Sequence, residues 1–156
     1  MLISINERRS SADSRLTAIR LTLLTLRCME NWKKDVSDYD SAMILVSVVA
    51  IGAEKLTRSE LEPELRTLER SFPSDRLARC NISSIAAATG LNRETARRKV
   101  KSLVEAGLLE KLPGGVITLR EGVVQQEATM ALVRRQLEAV VRTVNELLRD
   151  GVLAAA

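Results

Sequence analysis

The sequence of 156 residues contains no histidine, and its aromatic residues amount to one Trp, one Tyr and one Phe. Because histidine is the commonest general base and metal ligand, its absence excludes Ser-His-Asp and Cys-His catalysis within this chain, and most zinc sites. The scarcity of aromatic rings argues against base-stacking platforms and favours an aliphatic core between helices. The seven glycines are scattered and form no phosphate-binding loop. We therefore expect no enzyme, no cofactor and no metal site.

The sequence is also poor in cysteine and in long apolar runs. Cys28 and Cys80 are too few for a disulfide framework, so we interpret both as small buried hydrophobic residues, with a redox switch as the alternative. The longest nearly uncharged stretch, residues 42–53, is shorter than the about 20 residues of a membrane-spanning helix. The first fifteen residues contain no apolar run typical of a signal peptide. These absences predict a soluble cytoplasmic protein with no membrane partner.

The positive charge is concentrated in one part of the chain. Residues 76–120 contain nine basic and three acidic side chains, a net charge of +6, whereas the whole chain carries +4. The remaining residues therefore carry a net charge of −2. A basic excess confined to one segment is typical of a surface that binds nucleic acid.

Apolar residues at helical spacing predict a long helix at each end of the chain, one from Asp13 to about Lys34 and one, uninterrupted, from Val123 to about Arg149. Ser11 or Asp13 is expected to cap the first, and residues 1–12 are expected to be frayed. A helix that packs once onto its own domain would explain such stripes, but the apolar faces are wider than one small domain covers. We predict that residues 1–40 and 121–156 form a homodimer interface. The stripes consist of Leu16, Ile19, Leu23 and Leu26, and of Met130, Val133, Leu137, Val140, Val144 and Leu147, the second being a heptad-like seam.

The middle of the chain has a clear order of predicted elements. A central apolar helix over 41–56 precedes a short helix from Pro63 to about Arg70. Ser83 or Ser84 caps a short helix, 85–89, that ends at Gly90, and Asn92 caps a longer one, 93–106, that ends at Gly107. Two strands follow, at 108–112 and 116–119, joined by a tight turn at residues 113–115.

The string IAAATGLNRETARRKVKSLVEAGLLEKLPGGVITL, residues 85–119, resembles the winged helix-turn-helix of bacterial transcription regulators. The resemblance implies that residues 41–120 are a DNA-binding domain and that the two strands are its wing. Long apolar helices on both sides resemble the arrangement of MarR-type regulators, in which terminal helices form the dimer. The fold class that follows is mostly α, a winged helix-turn-helix with a small two-stranded wing and long flanking helices.

The helix 93–106 has two opposite faces on a helical wheel. Ala96, Val100 and Leu103 share an apolar face, and charged side chains lie on the other side. A guanidinium group there matches guanine or phosphate in double-stranded DNA. We predict that the DNA contacts come from Ser84, Asn92, Arg93, Glu94, Thr95, Arg97, Arg98, Lys101 and Lys111.

Two functions remain open at this point. The first is a sequence-specific DNA-binding transcription regulator of the bacterial nucleoid. The second is a winged-helix scaffold that binds proteins and not DNA, in which case a run such as 97–99 is an ordinary solvated helix face. The turn at 113–115 carries no arginine, so the wing is expected to be mainly structural. The sequence does not indicate which operator is bound or whether a small-molecule effector exists.

Overall fold

The structure is a computed structural model that describes residues 2–58 and 60–155. These residues are mostly helical and contain two small antiparallel sheets of two strands each. They form two compact units, one made of the terminal segments up to Asn31 and from Ala131, the other of Trp32–Met130. The elements in chain order are β1 (Ile3–Ile5), α1 (Glu7–Ala12), α2 (Ser14–Lys33), α3 (Tyr39–Ala53), α4 (Ile82–Thr89), α5 (Arg93–Glu105), β2 (Leu109–Leu112), β3 (Val116–Leu119), α6 (Glu127–Arg149) and β4 (Leu153–Ala155).

Helix α3 lies at the centre of the Trp32–Met130 unit. Asp38 caps it by accepting a hydrogen bond from the Ser41 amide at 2.9 Å, and its apolar side chains are buried over most of its circumference. The expected central apolar helix is therefore present, although it ends at Ala53 and gives way to a 3-10 turn over Glu54–Arg58. The buried core around it consists of Ile44, Leu45, Val48, Cys80, Ile85, Ala86, Ala96, Val100, Leu103, Leu109 and Ile117.

Helices α4 and α5 are joined by the tight turn that the sequence predicts. Gly90 has a φ of 72°, and Asn92 caps α5 by accepting the Glu94 amide at 2.8 Å. The predicted cap of α4 is wrong. Asn81 accepts the Ser84 amide at 3.0 Å while the Ser84 hydroxyl accepts the Asn81 amide at 2.9 Å. This reciprocal capping box starts α4 three residues earlier than expected, because Asn81 and Ser84 each satisfy a backbone amide of the other.

Strands β2 and β3 form the predicted hairpin behind α5. Leu109 pairs with Leu119 and Leu112 with Val116. The turn Pro113–Gly115 needs two residues at positive φ, 79° and 76°, which the two glycines adopt without steric cost. The Ile117 amide donates to the Cys80 carbonyl at 2.8 Å and ties β3 to the residue before the α4 cap.

The segment between α3 and α4 corrects another prediction. The expected helix from Pro63 to Arg70 is only a 3-10 turn, Pro63–Leu65, and a second such turn spans Ser74–Arg76. Pro63 does start a turn, but a helix this short is marginal in water unless it buries an apolar face. The Gln125 side chain donates to the Leu68 carbonyl at 2.9 Å and so connects this segment to the residues before α6.

The terminal unit differs from the expectation of a frayed N-terminus. Strand β1 pairs with β4, Ile3 opposite Ala155, and Asn6 caps α1 through the Arg9 amide. Helix α6 begins at Glu127, not at Val123, because residues 121–126 form turns. Those turns include Gly122, which has a φ of 84°.

Helices α2 and α6 contact each other through polar side chains. The Arg20 guanidinium forms an ion pair with Glu146 at 3.0 Å and a second one with Asp150. The Gln136 side chain donates to the Cys28 carbonyl at 3.2 Å. Cys28 is only half-buried, which corrects its assignment as a buried hydrophobic residue, whereas Cys80 is buried as expected.

Candidate nucleic-acid interface

Helix α5 has one face in the core and the other in solvent. Ala96, Val100 and Leu103 are buried and fix the rotation of the helix about its axis. We call the set of charged side chains that α5 exposes to solvent the outer face. It consists of the exposed side chains of Arg93, Glu94, Arg97, Arg98, Lys101 and Glu105.

One basic side chain of α5 does not belong to the outer face. The Lys99 ammonium donates to the Asp38 carboxylate at 2.6 Å, and its side chain is only 22% exposed. This hydrogen bond, together with the one from the Ser41 amide, holds the pKa of Asp38 well below its usual range. The charge of Lys99 is therefore compensated locally, and its role is to anchor α5 to the start of α3.

The ion pairs on the outer face are long and exposed. Arg97 lies 3.7 Å from Glu94, and Lys101 lies 3.9 Å from Glu105, with every one of these side chains at least 62% exposed. Pairs of this kind contribute little to stability because water screens them and the side chains lose entropy. A phosphate can replace either carboxylate at small cost, so both cations remain accessible to a polyanion.

The start of α5 places several predicted residues beside the outer face. The Asn92 side chain is occupied as a helix cap, and the Thr95 side chain is half-buried. The Ser84 hydroxyl is occupied in the capping box of α4 and is also half-buried. Arg93 is exposed at the first position of α5. Among these four residues Arg93 alone is charged, and its side chain is exposed.

The hairpin contributes one exposed predicted residue, Lys111 on β2. The turn Pro113–Gly115 presents no charged side chain. Arg120 lies at the base of the hairpin, where a Cβ atom added to Gly107 would stand 3.1 Å from its Nη1 atom. The positive groups of the hairpin are therefore at its base and along one strand, not at its tip.

Sequence reasoning missed two residues that build this region. Asn81 precedes Ser84 by three positions, a spacing that resembles a capping box and that would have placed the start of α4 correctly. The pairing of Asp38 with Lys99 spans 61 positions, and no local pattern reports it. The division of α5 into a buried and an exposed face, in contrast, follows directly from its helical periodicity.

A metal-binding cluster and a membrane-spanning helix are both absent from the residues that the structure describes. Within residues 2–58 and 60–155, no group of three or more His, Cys, Asp or Glu side chains is placed to hold a metal ion. None of the helices in these ranges combines the length and the apolarity that crossing a membrane requires. A comparison with known proteins finds no matching family model, no similar curated protein and no similar solved structure.

Proposed function

We propose that the protein is a sequence-specific double-stranded DNA-binding transcription regulator in which α4, α5 and the β2–β3 hairpin act as a winged helix-turn-helix. The observation that carries the proposal is the fixed orientation of α5. Its apolar face is packed in the core, so Arg98 and Lys101 are held on the opposite side, with Arg97 on its flank. Arg93 is exposed because it is the first residue of the helix. A rigid helix with guanidinium groups on its free face is what major-groove recognition requires.

The roles of these side chains follow from their chemistry. Arg93 at the start of α5 is placed to reach a base edge, because recognition helices enter the groove with their N-terminal residues. An arginine there binds guanine O6 and N7 in a bidentate manner. Arg97, Arg98 and Lys101 supply phosphate or base contacts, and Lys111 on the hairpin adds a phosphate contact. Phosphate contacts set the register of the protein on the duplex, and base contacts set its sequence preference.

The proposal includes a homodimer, since one helix reads too few base pairs to select a site in a genome. Helix α2 leaves its predicted apolar stripe in solvent, with Ile19 51% exposed. Helix α6 exposes its predicted stripe from Met130 to Val140, with Leu137 61% exposed, whereas Leu147 at the end of the stripe is buried. The aliphatic side chains that remain exposed on both helices are available to a second copy of the chain. A two-fold dimer places two recognition helices about one helical turn of DNA apart.

A scaffold that binds proteins and not DNA is the alternative function. Selection of bound sequences from a random duplex library at low salt separates the two. Our proposal predicts recovery of a two-fold symmetric site with half-sites about one helical turn apart. A scaffold would recover no site, and titration with an arbitrary duplex at low salt would show no binding.

A further inference from the structure

A cavity of about 620 Å³ lies inside the Trp32–Met130 unit, apart from the outer face of α5. One wall is the C-terminal half of α3, with Val48 and Gly52, and another is strand β3. The segment 61–78, which contains no α-helix, closes part of it, and residues 120–125 complete the wall. Pockets that bind small molecules commonly have volumes of about 300–1,000 Å³.

The wall of the cavity is mainly apolar. Leu68, Phe72 and Leu119 are among its side chains, and the buried Cys80 thiol is a weakly polar group in the same wall. Burial raises the pKa of the Cys80 thiol, so this group is neutral near pH 7. A ligand that fills the space must therefore present mostly apolar surface.

Charged side chains also border the cavity, and positive ones are in excess. Three arginines line it, Arg66, Arg70 and Arg120, against two glutamates, Glu110 and Glu121. The Arg66 Nε atom donates to the Leu61 carbonyl at 3.0 Å. Arg70 and Arg120 form no ion pair with any residue that the structure describes. The excess of one positive charge matches one negative charge on a ligand.

We propose that this cavity binds an apolar small molecule that carries a single acidic group. The apolar part lies against α3 and β3, and the acidic group lies near Arg70 and Arg120. The inference does not depend on DNA binding, because it rests on the cavity alone. Its failure would leave the function proposed for α5 untouched.

A substitution at Gly52 can fill the cavity without disrupting the packing of its wall. It lies within α3, and a Cβ atom built on it has no heavy atom within 4 Å. Gly52→Phe therefore places a ring in the open space of the cavity, and the loss of a helical glycine does not weaken α3. Ala50→Phe is the matched control, because Ala50 is exposed on the same helix and does not line the cavity.

The first experiment titrates the unmodified protein and both variants with 8-anilinonaphthalene-1-sulfonate, an apolar monoanion whose fluorescence rises in dry sites. We expect Gly52→Phe to weaken dye binding at least tenfold and Ala50→Phe to leave it unchanged. Equal binding by all three proteins would place the dye on another apolar surface and overturn the proposal. Circular dichroism verifies that both variants are folded.

The second experiment uses the unmodified protein and therefore decides the question even if Gly52→Phe fails to fold. Addition of 1-naphthaleneacetate should shift the amide resonances of Val48, Gly52 and Thr118. Its neutral amide should bind at least fivefold more weakly, and Arg70→Gln with Arg120→Gln should remove that difference, whereas Arg58→Gln, outside the cavity, should not. Shifts confined to other residues, or equal affinity for acid and amide, would contradict the proposal.

Discussion

Lys99 donates a hydrogen bond to Asp38 at 2.6 Å, and the same carboxylate caps helix α3 through the Ser41 amide. The Asp38 side chain thus joins the first turn of α3 to the middle of α5. Because α5 carries the proposed DNA contacts, this pair helps to fix their position on the core. The contribution of this pair to the free energy of unfolding can be measured separately from DNA binding.

Replacement of Asp38 should separate its two contributions. Asp38→Ala removes the cap and the ion pair and should lower the free energy of unfolding by about 1–2 kcal/mol. Asp38→Asn retains a capping oxygen and should cost less than half as much, since only the ion pair is lost. Urea denaturation measures both changes. Equal losses in the two variants would show that the cap contributes nothing.

The same pair predicts a dependence of stability on pH. Hydrogen bonds from Lys99 and Ser41 lower the pKa of Asp38 in the folded protein below the value of 3.8 expected in the unfolded chain. The unfolded chain therefore binds this proton first as the pH falls. The contribution of Asp38 is complete above about pH 5, begins to be lost near pH 4, and is fully lost only below the lowered pKa of the folded protein. Asp38→Asn should flatten this part of the stability curve. An unchanged slope between pH 5 and pH 3 would contradict the role of the pair.

Arg20 should stabilise the terminal unit because it compensates two carboxylates at once. Arg20→Met leaves Glu146 and Asp150 without their cation and should measurably lower the free energy of unfolding. Arg15→Met is the control, since Arg15 is exposed on the same helix. Thermal and urea denaturation measure the difference. Similar losses of unfolding free energy in both variants would mean that the ion pairs of Arg20 do not stabilise the terminal unit.

The sequence predicted the elements whose signals are local and strong. Gly90, Asn92 and Gly107 mark the limits of α4 and α5, and the spacing of Ala96, Val100 and Leu103 gives the buried face of α5. Strands β1 and β4 could not be predicted, because each is three residues long and depends on a partner about 150 positions away. The segment from Pro63 to Arg70 has a helix start and apolar residues at helical spacing, but Leu65 and Leu68 are only half-buried, which is too little burial to stabilise so short a helix.

How much of the candidate site the sequence could predict has a similar physical explanation. Helical periodicity places Arg97, Arg98 and Lys101 in solvent, and the structure has them exposed. Periodicity does not reveal that Lys99 is neutralised by Asp38, because that contact joins two elements across the core. The cavity beside α3 was also not predicted, since residues 61–78 and 120–125, which complete its walls, have irregular conformations.

The exposed stripe on α6 should determine the oligomeric state. Sedimentation of the unmodified protein at micromolar concentration should give twice the chain mass of 17.2 kDa. Leu137→Glu with Val140→Glu changes two exposed aliphatic side chains and should yield a monomer with weaker DNA binding. Asn145→Glu, also exposed on α6, should remain a dimer. A monomeric unmodified protein that binds a palindrome tightly would refute this part of the account.

The central claim is that the outer face of α5 binds DNA, and the salt dependence of binding tests it most directly. Each phosphate contact that is lost should reduce the slope of log K against log salt by about 0.9. Arg97→Ala with Arg98→Ala should therefore weaken binding and reduce the slope by about 1–2. Arg134→Ala with Arg142→Ala removes the same charge from exposed positions of α6 and should leave the slope unchanged. An unchanged affinity and slope in the α5 double variant would contradict the claim.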